Sequence, residues 1–165
     1  MGANNVWYED MEQVGQTFVD YFDQLFTTSR PRVERELLDA IHTKVTEKRN
    51  ATLIKEFQAG EVEKALKQMH PLAAPGPDGM PPLFYHHFLS TVKSIIITTA
   101  LNFLNHGIAP PKFHDTHIVL IPNTKNPERV TDYRPISLCN VAYKIASKAV
   151  ANKMKSVLQE IIGEN

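Results

Sequence analysis

The sequence predicts an α+β fold that is mostly helical and includes one short antiparallel β-ribbon. Apolar residues recur at helical spacing along much of the chain, whereas two short runs, at residues 116–121 and 135–138, indicate strands. The long polar segment between these runs allows them to pair in the antiparallel sense. With 165 residues, of which 42% are hydrophobic and 22% charged, the chain is large enough to bury a core.

Helices are expected through most of the first seventy residues. An amphipathic helix is predicted from about Trp7 to Phe26, followed by a loop at Thr27–Pro31 and a short helix between Val33 and Ile41. The period over Thr43–Gln58 is ambiguous, and Glu61–Met69 is predicted to be helical again. The residues that define these faces are Met11, Val14, Phe18, Phe22 and Leu25 in the first helix, Leu37 and Leu38 in the second, and Val62, Ala65 and Leu66 in the third.

The segment Pro71–Pro82 contains five prolines and two glycines, too many for a regular element. Because the amphipathic segments on both sides need burial partners, a structured loop is favoured over a linker. A helix is predicted over Leu83–Leu89, and a longer one over residues 92–103, with Gly107 as its C-terminal cap.

The β-ribbon and the last helix follow. Pro110 and Pro111 break the chain before Thr116–Ile121, whose β-branched residues predict a strand buried on both faces or nearly so. The second strand is expected at Pro135–Leu138. Asn140 is a suitable N-cap for a helix through Ile162, which Gly163 closes.

Composition restricts the function classes. A net charge of zero and a pI of about 7.1 argue against a strongly basic, general nucleic-acid binder. The charge is nevertheless asymmetric: the residues before Arg30 include five acids and no cation, whereas residues 129–155 include six cations and one acid. The single cysteine, Cys139, fits a reducing compartment, and no segment is apolar enough for a membrane. We therefore expect an intracellular location, nuclear or cytoplasmic, without a membrane partner.

Arg134 is the strongest candidate for contact with a phosphate group. It lies between Tyr133 and Pro135, so its backbone is expected to be extended and its guanidinium to project from a strand edge. Together with Lys125 in the preceding loop it could bind a triphosphate. The alternative is a surface arginine paired with Asp132 or Glu128.

Three lysines mark one side of the last predicted helix. At 100° per residue, Lys144, Lys148 and Lys155 fall within about 40° of one another. Such a stripe can follow a nucleic-acid backbone, although the alternative is an ordinary solvated face.

Other chemistries have weak support in the sequence. The histidines His86, His87, His114 and His117 lack a second ligand pair of standard zinc-site form, so we expect no metal site. There is no Gly-x-Ser-x-Gly elbow and no Gly-x-x-x-x-Gly-Lys phosphate loop. Two-metal phosphoryl transfer requires converging carboxylates, yet the chain contains no Asp-Asp pair. We expect no catalytic residues in this chain and no polymerisation by the chain alone.

Two separated segments carry a family signature. The first is Ala74-Pro75-Gly76-Pro77-Asp78-Gly79, and the second is Tyr133-Arg134-Pro135-Ile136-Ser137-Leu138-Cys139-Asn140-Val141. With Ile118–Pro122 between them and Tyr143-Lys144-Ile145 after them, the region 61–155 resembles the reverse transcriptase of LINE-type (non-LTR) retrotransposons, most closely those of plants. The stretch before Glu61 resembles, more weakly, the helical linker that precedes this polymerase.

The resemblance implies a fragment of a right-hand RNA-directed DNA polymerase, a nucleotidyltransferase. Residues 1–60 would be the helical linker, and residues 61–165 the fingers and the start of the palm. The family's metal-binding aspartates would follow Asn165, so we expect a truncated fragment, inactive alone, that does not hold the family's Mg²⁺ tightly. The partners implied are an RNA template, a DNA primer, a deoxynucleoside triphosphate and the remainder of the palm.

The resemblance also implies roles for individual residues. Arg134 would contact the triphosphate of the incoming nucleotide, and Lys125, expected beside it from the loop sequence, could replace the family lysine that is absent at Asn123. The segment 74–79 would lie near the template path, whereas contact of the last helix with the nucleic-acid backbone is expected from its lysine stripe. On these two grounds the expected template or backbone contacts are Pro75, Gly76, Asp78, Gly79, Lys144 and Lys148.

Several positions depart from the family pattern. Ala73 and Asn123 stand where the family usually has lysine, and Leu89 stands where it has tryptophan. Loss of two cations is expected to weaken nucleotide and template binding. These departures suggest a decaying retroelement copy. Two alternatives remain: a noncatalytic helical module that binds RNA or DNA, and an unrelated structural or interaction domain that shares only the turn sequence.

Overall fold

The computed structural model describes residues 7–30 and 44–162. Over these residues it confirms the predicted fold class, because helices predominate and the two strands form one antiparallel sheet. The described residues fall into two compact units, which we call the ribbon unit (7–30 and 118–136) and the helical unit (44–117 and 137–162). The helix predicted between Val33 and Ile41, and the cap predicted at Gly163, lie outside the described residues.

The first helix of the ribbon unit, α1, spans Met11–Phe26. It begins later than the apolar spacing predicts because the carboxylate of Asp10 accepts a hydrogen bond from the Gln13 N–H at 3.0 Å and caps the helix there. It ends at Thr27, whose hydroxyl donates to the Asp23 carbonyl at 2.7 Å. The predicted amphipathic helix is therefore confirmed with a shorter N-terminus.

The sheet is a two-stranded ribbon in which β1 (Thr116–Pro122) pairs with β2 (Tyr133–Cys139). Both predicted strands are confirmed, but the expected burial of the first strand is wrong. Ile118, Val119 and Ile121 are 61%, 41% and 43% exposed. An apolar run of this length indicates a strand, yet its burial depends on a second layer, and the sheet contains no third strand among the described residues.

The helical unit contains five helices. They are α2 (Glu47–Leu53), α3 (Ala59–Lys67), α4 (Pro82–His87), α5 (Leu89–His106) and α6 (Val141–Ile161). Glu61 reaches back to accept the Gln58 N–H at 2.8 Å, which fixes the start of α3. Gly107 adopts a φ of 69° and ends α5, as predicted.

The core of the helical unit lies where α3, α5 and α6 meet, with Tyr85 of α4 beside them. Its centre consists of small and β-branched side chains, which allow the helices to approach closely. The buried residues are Val62, Ala65 and Leu66 of α3, Ile96 and Ala100 of α5, and Val141, Ile145 and Ala149 of α6. None of the helices in the described ranges is both long and apolar enough to cross a membrane.

Candidate nucleic-acid and nucleotide interface

The segment 74–79, which we call the signature loop, is an ordered turn. Pro75 and Pro77 restrict φ on both sides of Gly76, and the Gly76 carbonyl accepts the Gly79 N–H at 3.0 Å. Gly79 has a φ of 69°, which a residue without a Cβ adopts at little cost. The Asp78 carboxylate accepts the Met80 N–H at 3.0 Å and closes the turn.

The signature loop rests directly on the junction between β2 and α6. Gly76 is buried there, and a Cβ added to it would collide with the backbone of Cys139 and Asn140, lying 2.6 Å from the Asn140 Cα. Only glycine permits this approach. The two segments that carry the family signature are therefore in contact.

The side chain of Asn140 joins three segments. Its Oδ1 accepts the Asp78 N–H at 3.1 Å, and its Nδ2 donates to the Lys112 carbonyl at 3.1 Å. Asn140 precedes α6 as predicted, but its side chain does not cap the helix. The predicted N-cap position is therefore confirmed, but the side chain makes no capping bond because both polar atoms of the amide bind the signature loop and Lys112.

The lysines of α6 differ in their surroundings. Lys144 is half-buried, and its Nζ donates to the Ala74 carbonyl at 2.7 Å, so it holds the signature loop against the helix. Lys153 donates to the Lys55 carbonyl at 2.7 Å. Lys148 and Lys155 are exposed and make no hydrogen bond or ion pair with a residue of the described ranges. Of the predicted backbone contacts on α6, Lys148 is therefore the one whose ammonium group binds no other residue in the described part of the chain.

Tyr85 lies under the C-terminal side of the signature loop. Its hydroxyl donates to the Met80 Sδ at 3.8 Å, and the side chain is buried. Burial raises the pKa of Tyr85 to about 12, and the negative charge of Asp78 acts in the same direction. Tyr85 therefore remains a neutral part of the support beneath the loop.

Arg134 lies on the exposed side of β2. Its neighbours Tyr133 and Pro135 face α1: the Tyr133 ring meets Phe18 edge-on at 5.1 Å, and Pro135 lines a groove beside the same ring. Because side chains alternate along a strand, Arg134 occupies the opposite face of the ribbon. It is exposed and has no hydrogen bond or ion pair with any residue in 7–30 or 44–162.

Asp132 organises the loop that contains Lys125. Its Oδ2 accepts the N–H groups of Glu128 and Arg129 at 3.0 and 2.9 Å, and these two bonds hold the pKa of Asp132 below its usual range. Its carbonyl accepts the Asn123 N–H at 2.7 Å. The predicted alternative was an ion pair from Arg134 to Asp132 or Glu128, and Arg134 pairs with neither carboxylate in the described structure. Lys125 is exposed within the loop that these bonds close.

No group of three or more His, Cys, Asp or Glu side chains among the described residues could hold a metal ion. His86 contacts the Leu66 carbonyl at 3.1 Å, and His114 packs against the rings of Phe103, Phe113 and Tyr143.

The predicted site residues thus form two sets. Gly76 and Lys144 are joined through the signature loop in the helical unit, where Pro75, Asp78, Gly79 and Lys148 also lie. Arg134 and Lys125 belong to the ribbon unit. The sequence did not predict the bridging role of Asn140, for which the only local signal was a preference for helix N-termini.

A search among known proteins found a relative across nearly the whole chain. The chain is similar to a transposon protein. It is 28% identical over 156 residues to the Transposon TX1 uncharacterized 149 kDa protein of Xenopus laevis. The match covers 93% of the chain, so both signature segments lie within it, and 12% of the relative's length. No protein-family model matches the chain.

Proposed function

We propose that this chain is part of the reverse transcriptase of a LINE-type retrotransposon, comprising the fingers and the start of the palm. The observation that carries the proposal is the similarity over 93% of the chain to a protein of transposon TX1, with both signature segments inside the match. The chain spans 12% of that protein, so it represents one portion of a larger polypeptide of the same kind.

Arg134 and Lys125 bind the triphosphate of the incoming nucleotide. A planar, permanently charged guanidinium can engage two phosphate oxygens at once, and Arg134 has no competing acceptor among the described residues. Lys125 adds a second positive charge from the loop that Asp132 closes. Two cations that contact the same triphosphate favour the charge that develops on a departing pyrophosphate.

The helical unit supports the template. Gly76 packs closely, and two hydrogen bonds, from the Asp78 N–H to Asn140 at 3.1 Å and from Lys144 to the Ala74 carbonyl at 2.7 Å, hold the signature loop in one position. A loop held in this way presents a fixed surface to a template strand, which reduces the entropy cost of positioning it. Lys148, exposed on α6, contacts the backbone of the nucleic acid.

Magnesium would supply the activation of the primer hydroxyl and the neutralisation of phosphate charge in the complete enzyme. The described residues do not fit this group, because no cluster of three carboxylate, histidine or cysteine side chains occurs among them. This portion therefore holds substrates and does not perform the phosphoryl transfer by itself. A primer-extension assay with Mg²⁺ tests this point: template-dependent incorporation by the purified chain would contradict it.

Fluorescence anisotropy with a labelled single-stranded RNA tests the substrate-holding role. Replacing both Lys148 and Lys155, the exposed lysines of the α6 stripe, with alanine is expected to weaken binding at low salt and to reduce the slope of log K against log salt by about 0.7 per lost contact. The matched control removes two exposed cations of α3, Lys64 and Lys67. Equal losses in the two double variants, or undetectable binding by the unmodified chain at low salt, would refute the proposal.

Nucleotide competition separates the polymerase fragment from its alternative, a noncatalytic module that binds RNA or DNA. The fragment should bind a deoxynucleoside triphosphate about tenfold more tightly than the monophosphate, and Arg134→Ala should remove this preference while the nearby Arg129→Ala retains it. RNA binding without a preference for triphosphate would favour the noncatalytic module. Sequencing the DNA beyond the codon for Asn165 tests the same choice, since the polymerase proposal expects a continuous frame that encodes the family's aspartates.

A further inference from the structure

The apolar side of α1 is incompletely covered. No residue within Met11–Phe26 is buried, and Val19, Leu25 and Phe26 are 61%, 57% and 69% exposed. Phe18, Phe22 and Phe26 stack in sequence, with ring centroids 6.4 and 6.0 Å apart. A continuous aromatic row of this kind on a protein surface is typical of an interaction site.

This row forms one wall of a groove of about 510 Å³ within the ribbon unit. The other wall is the face of the ribbon that carries Ile118, Leu120 and Pro135. The groove follows α1 from Gly15 to Phe26, a length of about three helical turns. Gly15 lines the groove, and a Cβ added there would meet nothing within 4 Å.

The rim of the groove is acidic. Asp23 lines it, and Asp20 lies one turn earlier on the same helix; both are exposed. Asp10 and Glu12 extend the negative charge toward the start of α1, whereas residues 7–29 contain no lysine or arginine. An occupant of opposite charge is therefore favoured, with an apolar strip that fills the groove and cations that flank it.

We propose that the groove between α1 and the ribbon docks a basic amphipathic helix of a partner protein. Apolar side chains spaced at i, i+3 or i+4, and i+7 would lie in the groove, and flanking lysines or arginines would meet Asp20 and Asp23. The elongated shape along three turns of α1 matches a helix of similar length. Arg134 lies on the opposite face of the ribbon, so the docked helix leaves it accessible, and the inference does not depend on the proposed polymerase role.

The test uses a helical peptide made of two repeats of Leu-Lys-Lys-Leu-Leu-Lys-Leu, titrated against the full chain by calorimetry. A peptide with glutamate in place of every lysine is the matched control. The lysine peptide is expected to bind at least about tenfold more tightly than the glutamate peptide, and to lose affinity as salt rises from about 0.05 to 0.5 M.

Two substitutions locate the binding. Gly15→Leu fills the groove and is expected to weaken the lysine peptide at least about tenfold, while the melting temperature stays level or rises because leucine favours a helix interior. Gly60→Leu, at another glycine with open space around it, should leave binding unchanged. Asp23→Asn should weaken binding about two- to fivefold, as for an exposed charge pair.

Three results would overturn the inference. The first is equal binding of the two peptides, and the second is unchanged binding by a folded Gly15→Leu chain. The third is self-association of the chain in sedimentation that Gly15→Leu abolishes, which would identify a second copy as the occupant. None of these results would bear on RNA or triphosphate binding, so the proposed function is judged separately.

Discussion

Replacing Gly76 with alanine is expected to destabilise the helical unit strongly, although the change adds only one methyl group. The added Cβ would lie 2.6 Å from the Asn140 Cα and closer still to two backbone atoms of Cys139 and Asn140. These neighbours are backbone atoms, which cannot rotate away as a side chain can. The signature loop must therefore move away from Cys139 and Asn140, or the junction between β2 and α6 must shift.

The magnitude follows from opposing effects. Inserting a methyl group into a packed site costs about 1–3 kcal/mol, and contact with rigid backbone places Gly76→Ala at the upper end. Displacement of the loop also removes the Asp78–Asn140 hydrogen bond of 3.1 Å, a loss of about 1 kcal/mol. Alanine also lowers the conformational entropy of the unfolded chain, which offsets the loss of stability by about 0.4–1 kcal/mol. The net loss is about 3–3.6 kcal/mol, or about 6–14 °C in melting temperature for a chain of this size.

Thermal unfolding followed by circular dichroism measures the effect, with Gly60→Ala as the control. Gly60 belongs to the same unit, has no atom within 4 Å of an added Cβ and lies in α3. Alanine there should stabilise the chain by about 0.5–1 kcal/mol. If Gly76→Ala melts at or above the unmodified temperature, as Gly60→Ala should, the signature loop does not rest on Asn140 and the argument fails.

Other perturbations test the remaining contacts. Asn140→Ala removes two side-chain hydrogen bonds and should cost about 1–2 kcal/mol in urea unfolding; no loss would contradict its bridging role. Lys144→Gln should speed hydrogen exchange in the signature loop, whereas Lys148→Gln should leave the exchange rate unchanged. Because the pKa of Tyr85 is raised from 10.0 to about 12, its contribution to stability is present below pH 10 and is lost as pH rises through 12. In Tyr85→Phe, the midpoint of urea unfolding should therefore fall less steeply with pH over this range. The pKa of Asp132 is lowered, so its contribution to the free energy of unfolding is present above the ordinary value of 3.8 and is lost as pH falls through the folded pKa. If Asp132→Asn leaves the loss of stability at acid pH unchanged, this reasoning is wrong.

Local patterns predicted the elements well where a period and a terminating residue coincide. The helix that ends at Gly107 shows both. The proline-rich segment has no such period, and its prediction as an ordered loop came from its five prolines and its amphipathic neighbours. The start of α1 was placed too early because apolar spacing continues past the point where the Asp10 carboxylate caps the helix. The prediction that β1 is buried was wrong, because an apolar run does not show how many layers pack on the strand.

The contacts of the candidate site were beyond local inference. Asp78 and Asn140 are separated by 62 positions, and Ala74 and Lys144 by 70. Family resemblance indicated both segments but not that Gly76 rests on Asn140. The sequence predicted Lys144 and Lys148 equally as contacts to a nucleic-acid backbone. A helical stripe of lysines does not show which ammonium group donates to a carbonyl of the same chain.

The packing of the signature loop against Asn140 also has a consequence for the synthesis of the protein. Asn140 is synthesised 62 residues after Asp78, and translation adds about 5–20 residues per second. The signature loop is therefore synthesised on the order of 3–12 s before Asn140, the residue against which it packs. During that interval α3 and α5 also lack α6, so the apolar faces they later bury are exposed to other nascent chains. We expect the chain to depend most on chaperones just before Val141 emerges from the ribosome.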